Sequence, residues 1–258
     1  MFEIDSNISL SKPLIQDFPS LVSKFRDALD NDISQNNFQR IGVLILRHSD
    51  RPVIHDNETI INKKGIVRIK KYREILSSKG ISIDSDFIFS SPVIRCVQTA
   101  SRMAQIDESR VHKVRWILGS PWNLPNEDEV LSSRTTWEKM KYDFGSEKSR
   151  EIWLEGSIES EGLIKSEICG KINYQSILNN VLIPLGSKYH LEKFKIADSD
   201  IMSDESTKIN PIAICCTHDI CIIGLASILQ SKTTFVPFLG GIFLCFDFDP
   251  AKYPMENL

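Results

Sequence analysis

The chain has 258 residues, 41% of them hydrophobic and 25% charged, and a formal net charge of −3. That length and balance suit one soluble α/β domain with a buried core, spanning 1–258 and carrying an insertion over about 119–208. The mild acidity argues against nucleic acid or an anionic membrane as the main partner. No apolar run approaches the ~20 residues of a membrane helix.

The N-terminal "MFEIDSNISLSKPLIQ" lacks the basic segment and apolar core of a signal peptide. Apolar residues then recur at helical spacing over 13–30, interrupted by Pro19, which predicts one or two helices. "IGVLIL" at 41–46 reads as a strand buried on both faces. The basic amphipathic stretch 62–80 predicts a helix that stops at Gly80, and 85–90 a second strand. A helix over 92–106 follows, with Pro92 in its first turn and Ser91 as N-cap. Residues 111–118 suggest a third strand.

The insertion holds helices near 134–143 and 171–184 and a solvated loop over 195–208. Beyond it come a buried strand at 211–216, a helix at 220–230 and a late edge strand at 241–248. The expected fold is a three-layer α/β/α domain with a mostly parallel central sheet and a helical insertion capping the active site. The six cysteines show no metal spacing and read as buried free thiols, which fits a reducing cytoplasm. No phosphate-cradling glycine loop of the nucleotide-binding kinds is present.

Three strand ends share one design. "IGVLIL" runs into Arg47, His48, Ser49, Asp50 and Arg51; the second strand ends in Ser90, Ser91 and Pro92 with Arg95 a turn later; the last buried strand ends in Thr217, His218 and Asp219. Ligands of open α/β sheets bind outside the carboxyl ends of the strands. Guanidinium forks match phosphoryl oxygens and stay charged at working pH. An anion would also relieve Arg95 of its place at a helix N-terminus. Neighbouring arginines favour a neutral His48, whose imidazole nitrogen can accept a phosphoryl group. His218 can donate to a phosphoryl oxygen, and Asp219 can protonate the leaving alcohol. Taken singly, each residue has a blander reading: solvated turn, surface arginine or N-cap. His55, His112 and His190 have no metal spacing and read as solvated or core histidines.

"LRHSDRP", "SSPVIRCVQTA" and "CTHD" resemble, in order, signatures of the histidine phosphatase (phosphoglycerate mutase-like) superfamily. The resemblance implies that His48 becomes the phosphohistidine and that Arg47, Arg95 and His218 bind the phosphoryl group. Arg51 and Asp219 are similar to the acid phosphatase branch, where that aspartate donates the proton. The smaller mutase-like branch takes a glutamate from the segment after the second signature, for which Glu127 and Glu129 stand available. Ser49 occupies a position the family usually gives to glycine. The expected activity is hydrolysis of a small-molecule phosphomonoester through a phosphohistidine, with no metal or other cofactor. Phosphoryl transfer to a second alcohol, and a binding module without catalysis, are the rivals; the second leaves a nucleophile and an acid without purpose.

Overall fold

The computed structural model describes residues 18–30, 39–52, 59–114, 127–197, 212–229, 235–249 and 251. Its centre is a five-stranded sheet of β1 (Gln39–Arg47), β2 (Ile83–Ser90), β3 (His112–Lys113), β4 (Ile212–Thr217) and β5 (Gly241–Phe248), in the order β3-β2-β4-β1-β5. All pairings are parallel except β1 with β5, so the late strand is an antiparallel edge, as its sequence suggested.

The alternation of a strand explains why β1 is apolar at every position from 41 to 46. Ile41, Val43 and Ile45 join one core cluster, and Leu44 and Leu46 join the other. Over one face lie α1 (Phe18–Asp30), α2 (Lys63–Ser78) and α3 (Ile94–Ala104). Over the other lie α4 (Glu127–Glu155), α5 (Ser166–Ile177), α6 (Ile183–Ala197) and α7 (Asp219–Ile228).

The stretch expected to cap the crevice therefore does more than cap. α5 packs on α7, and α6 packs on β1 and β5, so these helices form most of the second layer. Gly170 makes the α5–α7 approach possible, because a Cβ there would run into the Gly224 carbonyl. The helix expected near 134–143 is part of the longer α4, which Gly145 interrupts at φ 78° and ψ 163°. The helix expected over 171–184 is α5 continued through a π-helical turn, Leu178–Leu182, into α6. That turn precedes Pro184, which has no N–H to give an α-helical ladder. Residues 195–197, expected in a loop, are the last residues of α6, while 198–211 lie outside the described residues.

Smaller differences have local causes. Pro19 sits at the second position of α1, where its missing N–H costs nothing, and residues 13–17 lie outside the described residues. α2 starts from Asn62, whose Oδ1 accepts from the Gly65 N–H at 2.8 Å, and the chain leaves it at Gly80 with φ 66°. α3 starts at Ile94, two residues later than predicted, and its N-cap is Val93. Ser91 instead accepts from the Val93 N–H at 3.3 Å and caps a turn ahead of the helix. Only His112 and Lys113 of the third predicted strand pair with β2, and 115–118 lie outside the described residues. All six cysteines are free and buried. Among the described residues, no helix is long and apolar enough to cross a membrane.

Candidate active site

Register brings the two histidines together. β1 and β4 run parallel with Arg47 opposite Thr217 at the last rung, so His48 and His218 leave adjacent strands side by side. The His48 N–H donates to the Thr217 carbonyl at 2.9 Å, and the Ser91 N–H to the Cys216 carbonyl at 2.9 Å. The carboxyl ends of β2, β4 and β1 are thus tied into one rim.

The second motif uses its polar residues as ties. Thr99 Oγ1 accepts from the Ser49 N–H at 3.0 Å and donates to the Arg95 carbonyl at 2.7 Å. Gln98 Oε1 accepts from the Ile61 N–H at 3.1 Å. Ser49 is fully buried and has no positive φ. Its hydroxyl donates to the Gly65 carbonyl at 3.0 Å. The glycine that close packing demands is Gly65, where a Cβ would meet the Asp50 carbonyl at 2.6 Å. A serine at 49 is therefore compatible with this loop because α2 supplies the glycine at the point of close approach.

Arg95 bridges the histidines. Its Nε lies 3.2 Å from His48 Nε2 and its Nη2 lies 2.9 Å from His218 Nε2. The rings meet edge to face at 5.2 Å. Tautomers follow from partners. His48 Nδ1 lies 2.9 Å from the Ser49 carbonyl, which can only accept, so Nδ1 carries the proton. Nε2 then holds a lone pair that faces Arg95. Burial pushes the His48 pKa well below its ordinary value; His218, Arg95 and Arg47 lower it further, against the pull of the Ser49 carbonyl. His48 is a neutral base directed into a cationic site.

Arg47 lies on the other flank. Its Nη1 donates to the Val236 carbonyl, and its guanidinium sits 4.4 Å above the Phe238 ring, which also lies 5.5 Å from His48. Arg51 is half-exposed and donates to the Pro52 carbonyl at 3.4 Å. Burial and the nearby Arg95 and Arg47 bring its pKa down to about 10. Asp50 turns away, towards Arg68 at 2.8 Å and Lys64 at 3.9 Å.

Asp219 accepts from Arg150 at Oδ2, from the Ile220 N–H at 3.0 Å, and lies 3.6 Å from Arg47. Burial works to raise its pKa, but Arg47 and Arg150 outweigh this and hold it below the ordinary carboxylate value. The residue expected to give a proton is thus an ionised carboxylate in the free site. Glu127 and Glu129, the alternative donors, fall in the first turn of α4, and their side chains lie outside the described residues. His55 lies outside them as well. His112 stacks on Phe89 at 5.1 Å and His190 lies 6.2 Å from the Phe248 ring, both away from the site.

All six predicted site residues, Arg47, His48, Arg51, Arg95, His218 and Asp219, meet at this rim. Two further side chains were not anticipated. Arg150 comes from the part of α4 that follows the Gly145 kink, with no strand end beside it to mark it. Phe238 comes from the loop before β5, where the run "VPFLGG" signals a turn but not its neighbours.

No known family profile matches the chain, and no curated protein does. Solved structures to which it is similar include a mycobacterial hydrolase, at 13% identity and TM-score 0.45 over 82% of this chain and 84% of that one. A phosphoglycerate mutase from Bacillus anthracis shares 12% identity, with TM-score 0.40 over 81% and 89%. A mycobacterial glucosyl-3-phosphoglycerate phosphatase in complex with inorganic phosphate shares 14%, with TM-score 0.42 over 83% and 92%.

Proposed function

We propose that the chain is a phosphatase of the histidine phosphatase superfamily, hydrolysing a small phosphomonoester through a phosphohistidine on His48. The observation that carries this reading is the His48 Nε2 lone pair, set beside Arg95 at a sheet edge where guanidinium groups outnumber carboxylates. A phosphate-binding site needs the arginines alone; a neutral imidazole among them adds a nucleophile.

In this reading Arg47, Arg51, Arg95 and His218 hold the phosphoryl oxygens and offset the charge of the transition state. His48 Nε2 attacks phosphorus, and the bond to the ester oxygen breaks. Asp219 gives its proton to that oxygen. Water then attacks the phosphohistidine, Asp219 takes the water's proton, and phosphate leaves with His48 restored. Arg47, one of the two arginines that keep Asp219 ionised, is also one that a phosphoryl dianion would neutralise. Binding of the substrate therefore weakens the field on Asp219 and raises its affinity for a proton. Arginine charge stands in this scheme where other phosphatases use a metal.

The test is hydrolysis of an aryl phosphate. Turnover should persist in a strong chelator and be blocked by vanadate. No turnover, or turnover that needs an added divalent metal, would overturn the reading.

A further inference from the structure

The charges at the strand ends are unequal. Arg47, Arg51, Arg95 and Arg150 converge there, and among the described residues Asp219 is the carboxylate placed between them. Its Oδ2 is contested: Arg150 donates to it directly, while Arg47 stands back at 3.6 Å. Arg47 keeps a buried Nε with no hydrogen-bond partner.

The fold holds Arg150 firmly to this task. Ser149 donates to the Gly145 carbonyl at 2.7 Å, binding the second half of α4 to its kink. Trp153, three residues on and so on a neighbouring stripe of the helix, is 1% exposed. It donates to the Ile164 carbonyl at 2.8 Å and packs at Gly224 of α7, the helix that Asp219 begins.

We propose that Arg150 is a positioning residue that occupies the Asp219 carboxylate and so leaves Arg47 available to the phosphoryl group. The inference rests on the phosphatase reading of the site. Without Arg150, Asp219 Oδ2 loses its donor. The nearest cation is then Arg47, which needs to move less than an ångström to make the contact. A full Arg–carboxylate pair would take from the site one of its charges for phosphate. Arg150 would thus act on phosphate without touching it.

A double-mutant cycle read by calorimetric titration with inorganic phosphate and with vanadate separates this from direct contact. Arg150→Met should weaken phosphate binding by about tenfold, the scale of one charge-assisted hydrogen bond. Arg150→Lys should lose less. Asp219→Asn should bind phosphate at least as well as the wild type. On that background Arg150→Met should change affinity by less than about twofold, because no carboxylate remains to capture Arg47. This last comparison contains no ion pair to lose, so it stands even if the single variant folds poorly. KM for an aryl phosphate should rise with the phosphate dissociation constant in Arg150→Met, while kcat changes less. Unchanged binding in Arg150→Met, or a loss that persists in the double variant, would overturn the proposal alone. A wild-type protein that binds neither anion would overturn the phosphatase reading together with it.

Discussion

Two polar clusters stand at opposite ends of β2, and they differ in how far their charges are met. At the amino end Asp84 accepts from Lys188 at 2.8 Å, from Tyr189 at 2.5 Å and from the Asp86 N–H at 2.9 Å. Lys188 also reaches Asp86 at 3.0 Å, and Arg110 lies 3.6 Å from Asp86. Two carboxylates face two cations. Burial would raise the Asp84 pKa, but these partners hold it low. At the carboxyl end four guanidinium groups gather, and Asp219 meets two of them, Arg150 and Arg47. Arg47, Arg51 and Arg150 each keep a buried Nε without a hydrogen-bond partner, whereas no buried atom of the Asp84 cluster lacks one. A closed network fastens α6 to the sheet. An open, same-sign network is costly unless an anion completes it. The unpaired charge, rather than the mere presence of charge, distinguishes the candidate site.

That contrast breaks most visibly at His48. His48→Ala should lower turnover by on the order of 10⁴-fold or more, as loss of a nucleophile does, with an unchanged melting temperature. Steady-state assay beside a thermal melt checks both. Near-normal turnover would return His48 to the role of a core residue.

Asp219 gives the next largest effect. Asp219→Asn should cost ~10²–10⁴ in kcat on an alkyl phosphate, whose poor leaving group needs a proton. An aryl phosphate should lose far less. Parallel assays on both substrates decide it. If Glu127→Gln or Glu129→Gln shows the leaving-group-dependent loss instead, the donor comes from α4.

The pH profile sharpens the same point. His48 must be neutral to attack, and its lowered pKa keeps it neutral well into acid. Asp219 must be protonated to donate, and its lowered pKa makes that form scarce at neutral pH. The kcat/KM for an alkyl phosphate should therefore rise as pH falls, by about tenfold per unit above the Asp219 pKa, until His48 protonates. An aryl phosphate should give a flatter profile. An alkyl profile that falls from neutrality towards pH 5 would assign the proton elsewhere.

The closed cluster provides the smallest functional effect. Asp84→Ala should destabilise the fold by about 1–3 kcal/mol, since Lys188 and Tyr189 lose their acceptor. Its kcat/KM at a temperature where it is folded should match the wild type. A selective loss of activity would mean that the two ends communicate.

Much of the site was legible because its residues follow strand ends. "IGVLIL" and "IAICC" mark buried strands by composition alone, and the polar residues after them must emerge at one edge of a parallel sheet. The register that sets His48 beside His218 was not readable, because pairing between strands so distant in sequence is a tertiary outcome. Arg150 was hidden for another reason. It sits among Glu147, Lys148 and Glu151 on a helix, and nothing local distinguishes it from a solvated charge. Trp153 and Gly224 decide which way that helix faces. The part these helices take in the second layer was not legible, because their apolar pattern is broken by the Gly145 kink and by the π-helical turn before Pro184. Each interrupts the helical period that would have announced a layer.

The central claim is that His48 carries the phosphoryl group. Rapid mixing with excess aryl phosphate, quenching in alkali and peptide mass analysis tests it most directly. A phosphate on His48, lost on acid treatment and absent from the His48→Ala protein, is the predicted result. A wild-type protein that turns over steadily while His48 stays unmodified, or that carries its phosphate on another residue, would contradict the account.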